Sequence, residues 1–174
     1  MTPTLDAEAL YLALLDSVRK RLASPDVVKT PTVIGVHTGG AWLAERLHRD
    51  LELASPLGFL SSAFHRDDYG ERGLPTTIKA TQINFPVDDQ HILLVDDILY
   101  TGRTIRAALN EIFDFGRPAR VELAVLLDRG GRELPMQADY VGAVMPLRSD
   151  EDFVLSQETS GRLSLRIALR IEST

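Results

Sequence analysis

Asp96 and Asp97 stand side by side at the end of the apolar run ILLV, and Thr101-Gly102 follows after three intervening residues, in the stretch HILLVDDILYTGRT (residues 91–104). Adjacent ionised carboxylates repel each other and call for cationic or hydrogen-bonding partners, which suits them to a divalent cation or a diol. The turn Tyr100, Thr101, Gly102, Arg103, Thr104 leads into a helical pattern. Backbone amides at a helix start, with the hydroxyls of Thr101 and Thr104, form a natural phosphate cradle. The stretch therefore offers a hydroxyl or metal site beside a phosphate site. An ordinary Asp-capped strand end is the plain alternative. The acidic strand of a nucleotide hydrolase is another, but it requires a G-x-x-x-x-G-K-S/T loop, and none occurs in the chain.

Three further clusters could do chemistry. HTGG (residues 37–40) places Thr38, Gly39 and Gly40 between a strand and a helix, where a glycine turn can present amides to an anion, or can be a plain turn. His65, Arg66, Asp67 and Asp68 lie in a polar stretch, residues 61–76, without sustained periodicity. Loops longer than ~12 residues in a compact domain tend to be functional lids or disordered. Asp128 and Arg129 end a second apolar run and precede Gly130-Gly131.

The elements that must position these residues are legible as alternating strands and helices. Residues 5–22 carry Leu10, Leu14, Val18 and Leu22 on one helical stripe with Tyr11 and Leu15 beside it, and Thr4 is the expected N-cap. TVIGV (residues 32–36) reads as a short strand, residues 41–53 as a helix, ILLV as a strand, residues 104–115 as a helix ending at Gly116, and VELAVLLD (residues 121–128) as a buried strand. ADYVG and DFVLS read as short strands, and LSLRIALRI alternates like a half-buried antiparallel strand. Continuous apolar strands alternating with helices predict parallel βαβ units in an open α/β sheet, whose ligands bind beyond the carboxyl ends of the strands.

The 174 residues suit one domain. A net charge of -6 argues against a protein that coats nucleic acid. The chain has no cysteine, so disulfides and thiolate metal sites are excluded. No apolar run approaches the ~20 residues of a membrane helix. A soluble, cytoplasmic protein without membrane contact is the expectation.

The stretch ILLVDDILYTG resembles the 5-phosphoribosyl-1-diphosphate (PRPP) signature of type I phosphoribosyltransferases, and residues 95–142 resemble one branch of that family with particular closeness. With VIGVHTGGAWLAERL and HRDDY the resemblance spans residues 7–157. That branch comprises uracil phosphoribosyltransferases which in some bacteria also bind the mRNA of pyrimidine genes. The resemblance implies the type I fold, an open and mostly parallel sheet flanked by helices, with a small hood and a C-terminal antiparallel element. It implies the reaction of uracil with PRPP to give UMP and diphosphate, with Mg2+ carried mainly by the diphosphate of PRPP, and a dimer or higher homo-oligomer.

By the same resemblance Asp96 and Asp97 bind the ribose hydroxyls, with Tyr100 beside them, while Thr101, Gly102, Arg103 and Thr104 hold the 5-phosphate. Thr38, Gly39 and Gly40 form the diphosphate loop, although members of the branch often carry Arg where Gly39 stands. Arg66 belongs to the hood and contacts diphosphate, and Asp128 and Arg129 lie over the base and the metal-diphosphate end. Base selection involves backbone between residues 136 and 142. Three bases usual in the mRNA-binding members are replaced by Gly131, Gln137 and Ala143. RNA binding is therefore expected to be absent or feeble. An mRNA-binding attenuator, a PRPP or nucleotide sensor with little catalysis, and a purine phosphoribosyltransferase are the competing readings.

Overall fold

The computed structural model describes residues 5–61 and 79–170. Its elements are α1 (Ala7–Leu22), β1 (Thr32–Val36), α2 (Gly39–Asp50), β2 (Leu57–Leu60), β3 (His91–Leu99), α3 (Arg103–Phe115), β4 (Arg120–Asp128), β5 (Tyr140–Val144), β6 (Glu151–Gln157) and β7 (Leu163–Leu169). Five strands form one sheet in the order β2-β1-β3-β4-β5, every neighbouring pair parallel. β6 and β7 make a separate antiparallel pair. This is the open parallel sheet, with a small antiparallel element, that the alternation predicts.

The three inner strands are buried on both faces, so their sequences run apolar without alternation. Val33, Leu93, Val95, Ala124 and Leu126 face α1 and α2, and Phe153, Leu163 and Leu165 of the hairpin join that side of the core. Ile34, Ile92, Leu94, Leu123 and Val125 face Ile105, Ala108 and Ile112 of α3. The short edge strand β2 is absent from the sequence reading. Its four residues, framed by Pro56 and Ser61, carry too little pattern to be distinguished from a loop.

Two details of α1 differ from expectation. The N-cap is Asp6 rather than Thr4: its carboxylate accepts from the Glu8 and Ala9 amides at 3.1 Å. The buried face is Ala7, Tyr11, Leu14, Leu15 and Val18, so Tyr11 and Leu15 are inside while Leu10 and Leu22 are only half-buried. Tyr11 can be inside because its hydroxyl donates to Asp50 at 2.7 Å and the Arg46 guanidinium stacks on its ring at 4.0 Å.

At the edge of the sheet where the strands begin, Glu122 is buried among His91, Arg120 and Tyr140. Its carboxylate lies 2.7 Å from His91 Nε2 and 2.5 Å from Arg120, and it accepts from the Tyr140 hydroxyl at 3.1 Å. Burial and the Glu122 carboxylate push the Tyr140 phenol up to about 12. Removing the charge from this buried carboxylate leaves hydrogen bonds around it mispaired, a cost of about 1–3 kcal/mol. Glu122→Gln should therefore lower the midpoint of urea unfolding markedly while leaving the ligand edge, at the other end of the strands, intact. An unchanged midpoint would show the network to be energetically neutral.

Candidate active site

The acid pair lies within β3, not beyond it as the ILLV boundary predicts. The parallel ladder with β4 continues past the carboxylates, pairing Asp96 with Val125 and Leu99 with Asp128. Asp96 is buried at 4% exposure and its carboxylate accepts the Asp97 amide at 2.9 Å. Asp97 is half-buried and accepts the Ile98 amide at 2.8 Å through Oδ1. Each carboxylate is thus oriented by backbone before any ligand arrives.

HTGG closes on this pair. The predicted helix boundaries, residues 41–53, move to Gly39–Asp50, so both glycines sit in the first turn of α2. The reason is proximity. A Cβ at Gly40 would stand 2.5 Å from the Val95 carbonyl oxygen and 2.8 Å from Asp96 Cα, and one at Gly39 would stand 2.2 Å from Asp97 Oδ2. Glycine alone lets the helix start ride directly on β3, with Asp97 Oδ2 in the space that a side chain at position 39 would take. Thr38 is the N-cap residue but makes no side-chain capping bond. The His37–Thr38 peptide is cis.

The second helix start lies on the other side of the pair. α3 begins at Arg103, one residue earlier than expected, after Gly102 in the left-handed conformation (φ 92°), again without a side-chain cap. Thr101 Oγ1 accepts the Arg103 amide at 3.2 Å. The turn is tied to the loop after β4: the Glu133 and Leu134 amides donate to the Thr101 carbonyl at 2.9 and 3.0 Å, and a Cβ at Gly102 would meet Met136 at 2.9 Å. Arg103 pairs with Glu133 at 2.8 Å across an exposed surface. Thr104 is half-buried in the first turn of the helix.

Asp128 ends β4 at the same edge, where it pairs with Arg132 and accepts the Gly130 amide at 2.9 Å. Burial alone would raise the Asp128 carboxyl, but the Arg132 guanidinium and the Gly130 amide hold it below the usual carboxylate range. Arg132 also donates to the Tyr100 and Met136 carbonyls, both at 2.8 Å. Sequence reasoning gave Arg132 no role in the site, because an arginine in a glycine-rich loop carries no periodicity to mark it as inward-facing. Arg129 is buried at 5% exposure, pairs with Asp152 and stacks 3.8 Å over the Tyr100 ring. His65, Arg66, Asp67 and Asp68 lie outside the described residues.

Two helix starts, those of α2 and α3, therefore lie beside the strand that carries a carboxylate pair, at the carboxyl edge of a parallel sheet. The phosphoribosyl transferase domain family matches this chain over residues 8–155. The chain belongs to the phosphoribosyltransferase family. Among curated relatives, the bifunctional protein PyrR of Ralstonia nicotianae is 51% identical over 161 residues, covering 90% of this chain and 89% of the relative. The bifunctional protein PyrR of Desulfosudis oleivorans is 45% identical with 92% of each chain covered. Solved phosphoribosyltransferases share the fold. A hypoxanthine-guanine phosphoribosyltransferase of Bacillus anthracis superposes with a TM-score of 0.65 at 21% identity, covering 88% of this chain and 86% of that one. A hypoxanthine phosphoribosyltransferase of Staphylococcus aureus gives 0.62 at 18%, covering 84% and 77%.

Proposed function

We propose that the chain is a uracil phosphoribosyltransferase of the PyrR kind, joining uracil to PRPP to give UMP and diphosphate. The observation that carries this reading is the seating of the α2 start, through Gly39 and Gly40, on Asp96 and Asp97, with the Thr101-Gly102 turn and the start of α3 just beyond the same strand. PRPP has the matching shape: a phosphate at one end, a diphosphate at the other and a diol between them. On this reading Thr101, Gly102, Arg103 and Thr104 hold the 5-phosphate, Thr38, Gly39 and Gly40 hold the diphosphate, and the acid pair takes the ribose hydroxyls. As the bond to diphosphate breaks, positive charge grows on the ribose, and the carboxylate of Asp97 is oriented to stabilise it. Arg66 remains the proposed cation of the hood. Uracil rather than a purine is favoured by the closeness of DRGGRELPMQADYVG to the PyrR branch.

Among the described residues, no group of three or more His, Asp or Glu side chains converges to cage a metal. Mg2+ typically binds through one or two carboxylates together with substrate phosphates; Asp97 at this edge would suit that, whereas both Asp128 oxygens already accept from Gly130 and Arg132. Bound with the diphosphate, it would neutralise the charge of the leaving oxygens. No helix among the described residues is long and apolar enough to cross a membrane.

A regulatory role in pyrimidine gene expression accompanies the PyrR relationship, and the charges bear on how it is exerted. Between residues 117 and 148 there are five arginines, and Arg120, Arg129, Arg132 and Arg148 each pair with a carboxylate of this chain. Arginines already neutralised release few counterions from RNA, so direct RNA binding is proposed to be feeble. The deciding assay is diphosphate release from PRPP and Mg2+ with uracil, hypoxanthine, guanine or orotate, and with no base. Turnover with uracil alone is expected. Turnover with a purine would overturn the base assignment, and saturable PRPP binding without turnover would make the protein a sensor.

A further inference from the structure

Tyr100 joins the strand that carries the acid pair to the turn of Thr101 and Gly102, and its ring is walled by three residues from elsewhere in the chain. The Arg129 guanidinium lies 3.8 Å from the ring centroid and that of Arg170 lies 5.3 Å from it. Gly131, with φ 77°, fits so closely that a Cβ there would come 2.5 Å from Tyr100 Cε2. Both arginines are fixed by one carboxylate. Asp152 on β6 pairs with Arg129 and accepts from Arg170 Nε at 2.8 Å and Nη2 at 3.0 Å. The Arg129 side chain is 3% exposed and also donates to the Arg148 carbonyl at 3.4 Å, while its buried Nε finds no hydrogen-bond partner among the described residues. A guanidinium so buried depends on its carboxylate, because an uncompensated charge away from water is strongly unfavourable. Burial would raise the Asp152 carboxyl, but the Arg170 and Arg129 guanidiniums hold it below the usual carboxylate range, so it carries its charge at neutral pH.

We propose that Asp152 is a positioning residue for the substrate site: through Arg129 and Arg170 the C-terminal hairpin holds Tyr100, and with it the turn at Thr101 and Gly102, in its binding geometry. Asp152 lies in the small β6–β7 sheet, apart from the strands that carry the site, and meets it through the two arginines. The inference goes beyond direct contact between Arg129 and diphosphate, which the burial of this guanidinium disfavours, and its functional half rests on the transferase reading. Without the carboxylate, two guanidiniums are left facing one another beside the ring. Arg129 must then leave its place, and the turn loses its wall. A turn that must be ordered at the moment of binding weakens PRPP affinity more than it slows the chemical step.

The test compares Asp152→Asn with Glu8→Gln and Arg170→Lys in the full chain. Glu8 also anchors the hairpin, accepting the Leu163 amide at 2.8 Å and pairing with Arg46, but it does not touch the arginines around Tyr100. Amide exchange of Arg129, Glu133 and Leu134, which donate to the Leu99 and Thr101 carbonyls, reports the turn without any substrate. Asp152→Asn should speed exchange at these amides about tenfold and raise KM for PRPP about tenfold, with kcat changed less than threefold. Glu8→Gln should lower Tm and leave both readouts at wild-type values, and Arg170→Lys, which keeps the charge but loses the two-point bond to Asp152, should fall between wild type and Asp152→Asn in both readouts. If Asp152→Asn lowers Tm with neither exchange nor KM changed, Asp152 is structural only and the proposal fails. If Asp152→Asn does not fold, Arg170→Gln replaces it, and unchanged exchange in that variant overturns the proposal equally. Wild-type protein that binds no PRPP would refute the transferase reading, while the exchange comparison would still decide the positioning role.

Discussion

Replacing Asp97 by asparagine should lower kcat/KM for PRPP by about 10²–10³-fold with Tm close to wild type. The substitution preserves shape. An asparagine carbonyl can keep the bond that Oδ1 accepts from the Ile98 amide, so the backbone of β3 has no reason to move. What changes is the other oxygen, which lies over Gly39 and is the one assigned to the ribose. There a charged acceptor becomes a neutral donor, and a ribose hydroxyl that donated to it meets a donor instead. Charge-assisted hydrogen bonds are roughly twice as strong as neutral ones, and the attraction between the carboxylate and the positive ribose of the transition state disappears as well. Because that attraction grows as the bond to diphosphate breaks, the loss belongs in kcat as well as in KM. Asp96 is a poorer subject for the experiment: it is buried at 4% exposure and supports the Asp97 amide, so its replacement mixes folding with binding. Steady-state kinetics over a PRPP series, with a melting curve on the same preparation, decide the matter. An unchanged kcat/KM would remove the pair from the mechanism.

The parts of this architecture that could be read from the sequence are those where one physical constraint dominates. β1, β3 and β4 have neighbours on both sides and helix residues packed against both faces of the sheet, so burial alone dictates their apolar runs. The acid pair stands out because carboxylates are costly in such a run unless the ligand edge needs them. Where two constraints compete, the reading shifts. Glycine is a poor helix former, which favours a start of α2 at residue 41, but close approach to Val95 and Asp96 outweighs propensity and the helix begins at Gly39. β3 extends through Asp96 and Asp97 because the ladder with β4 continues, which local hydropathy cannot reveal. Asp152 and Arg170 were invisible for another reason. On an alternating hairpin their types match a solvated face, and only the fold brings them to Arg129 and Tyr100, residues distant in sequence.

The two glycines of α2 give the second large effect, because they fail differently. An alanine at position 40 would place its Cβ against backbone atoms, 2.5 Å from the Val95 carbonyl and 2.8 Å from Asp96 Cα, and backbone cannot rotate out of the way. Either α2 lifts from β3 or the acid pair is pushed aside. Overpacking of this kind costs about 1–3 kcal/mol, against which better helix propensity returns at most ~1 kcal/mol. A displacement near 1 Å at reacting groups costs on the order of a hundredfold in rate. Gly40→Ala should therefore lose both Tm and kcat/KM. An alanine at position 39 has the side chain of Asp97 as its nearest neighbour, at 2.2 Å from Oδ2, and a side chain can turn away. Gly39→Ala should keep its Tm yet lose about a hundredfold in kcat/KM, because the carboxylate it displaces is the one assigned to the ribose. Equal loss of Tm in both variants would mean that position 39 is constrained by packing, and wild-type behaviour of Gly40→Ala would mean that α2 can move off β3 without disturbing the acid pair.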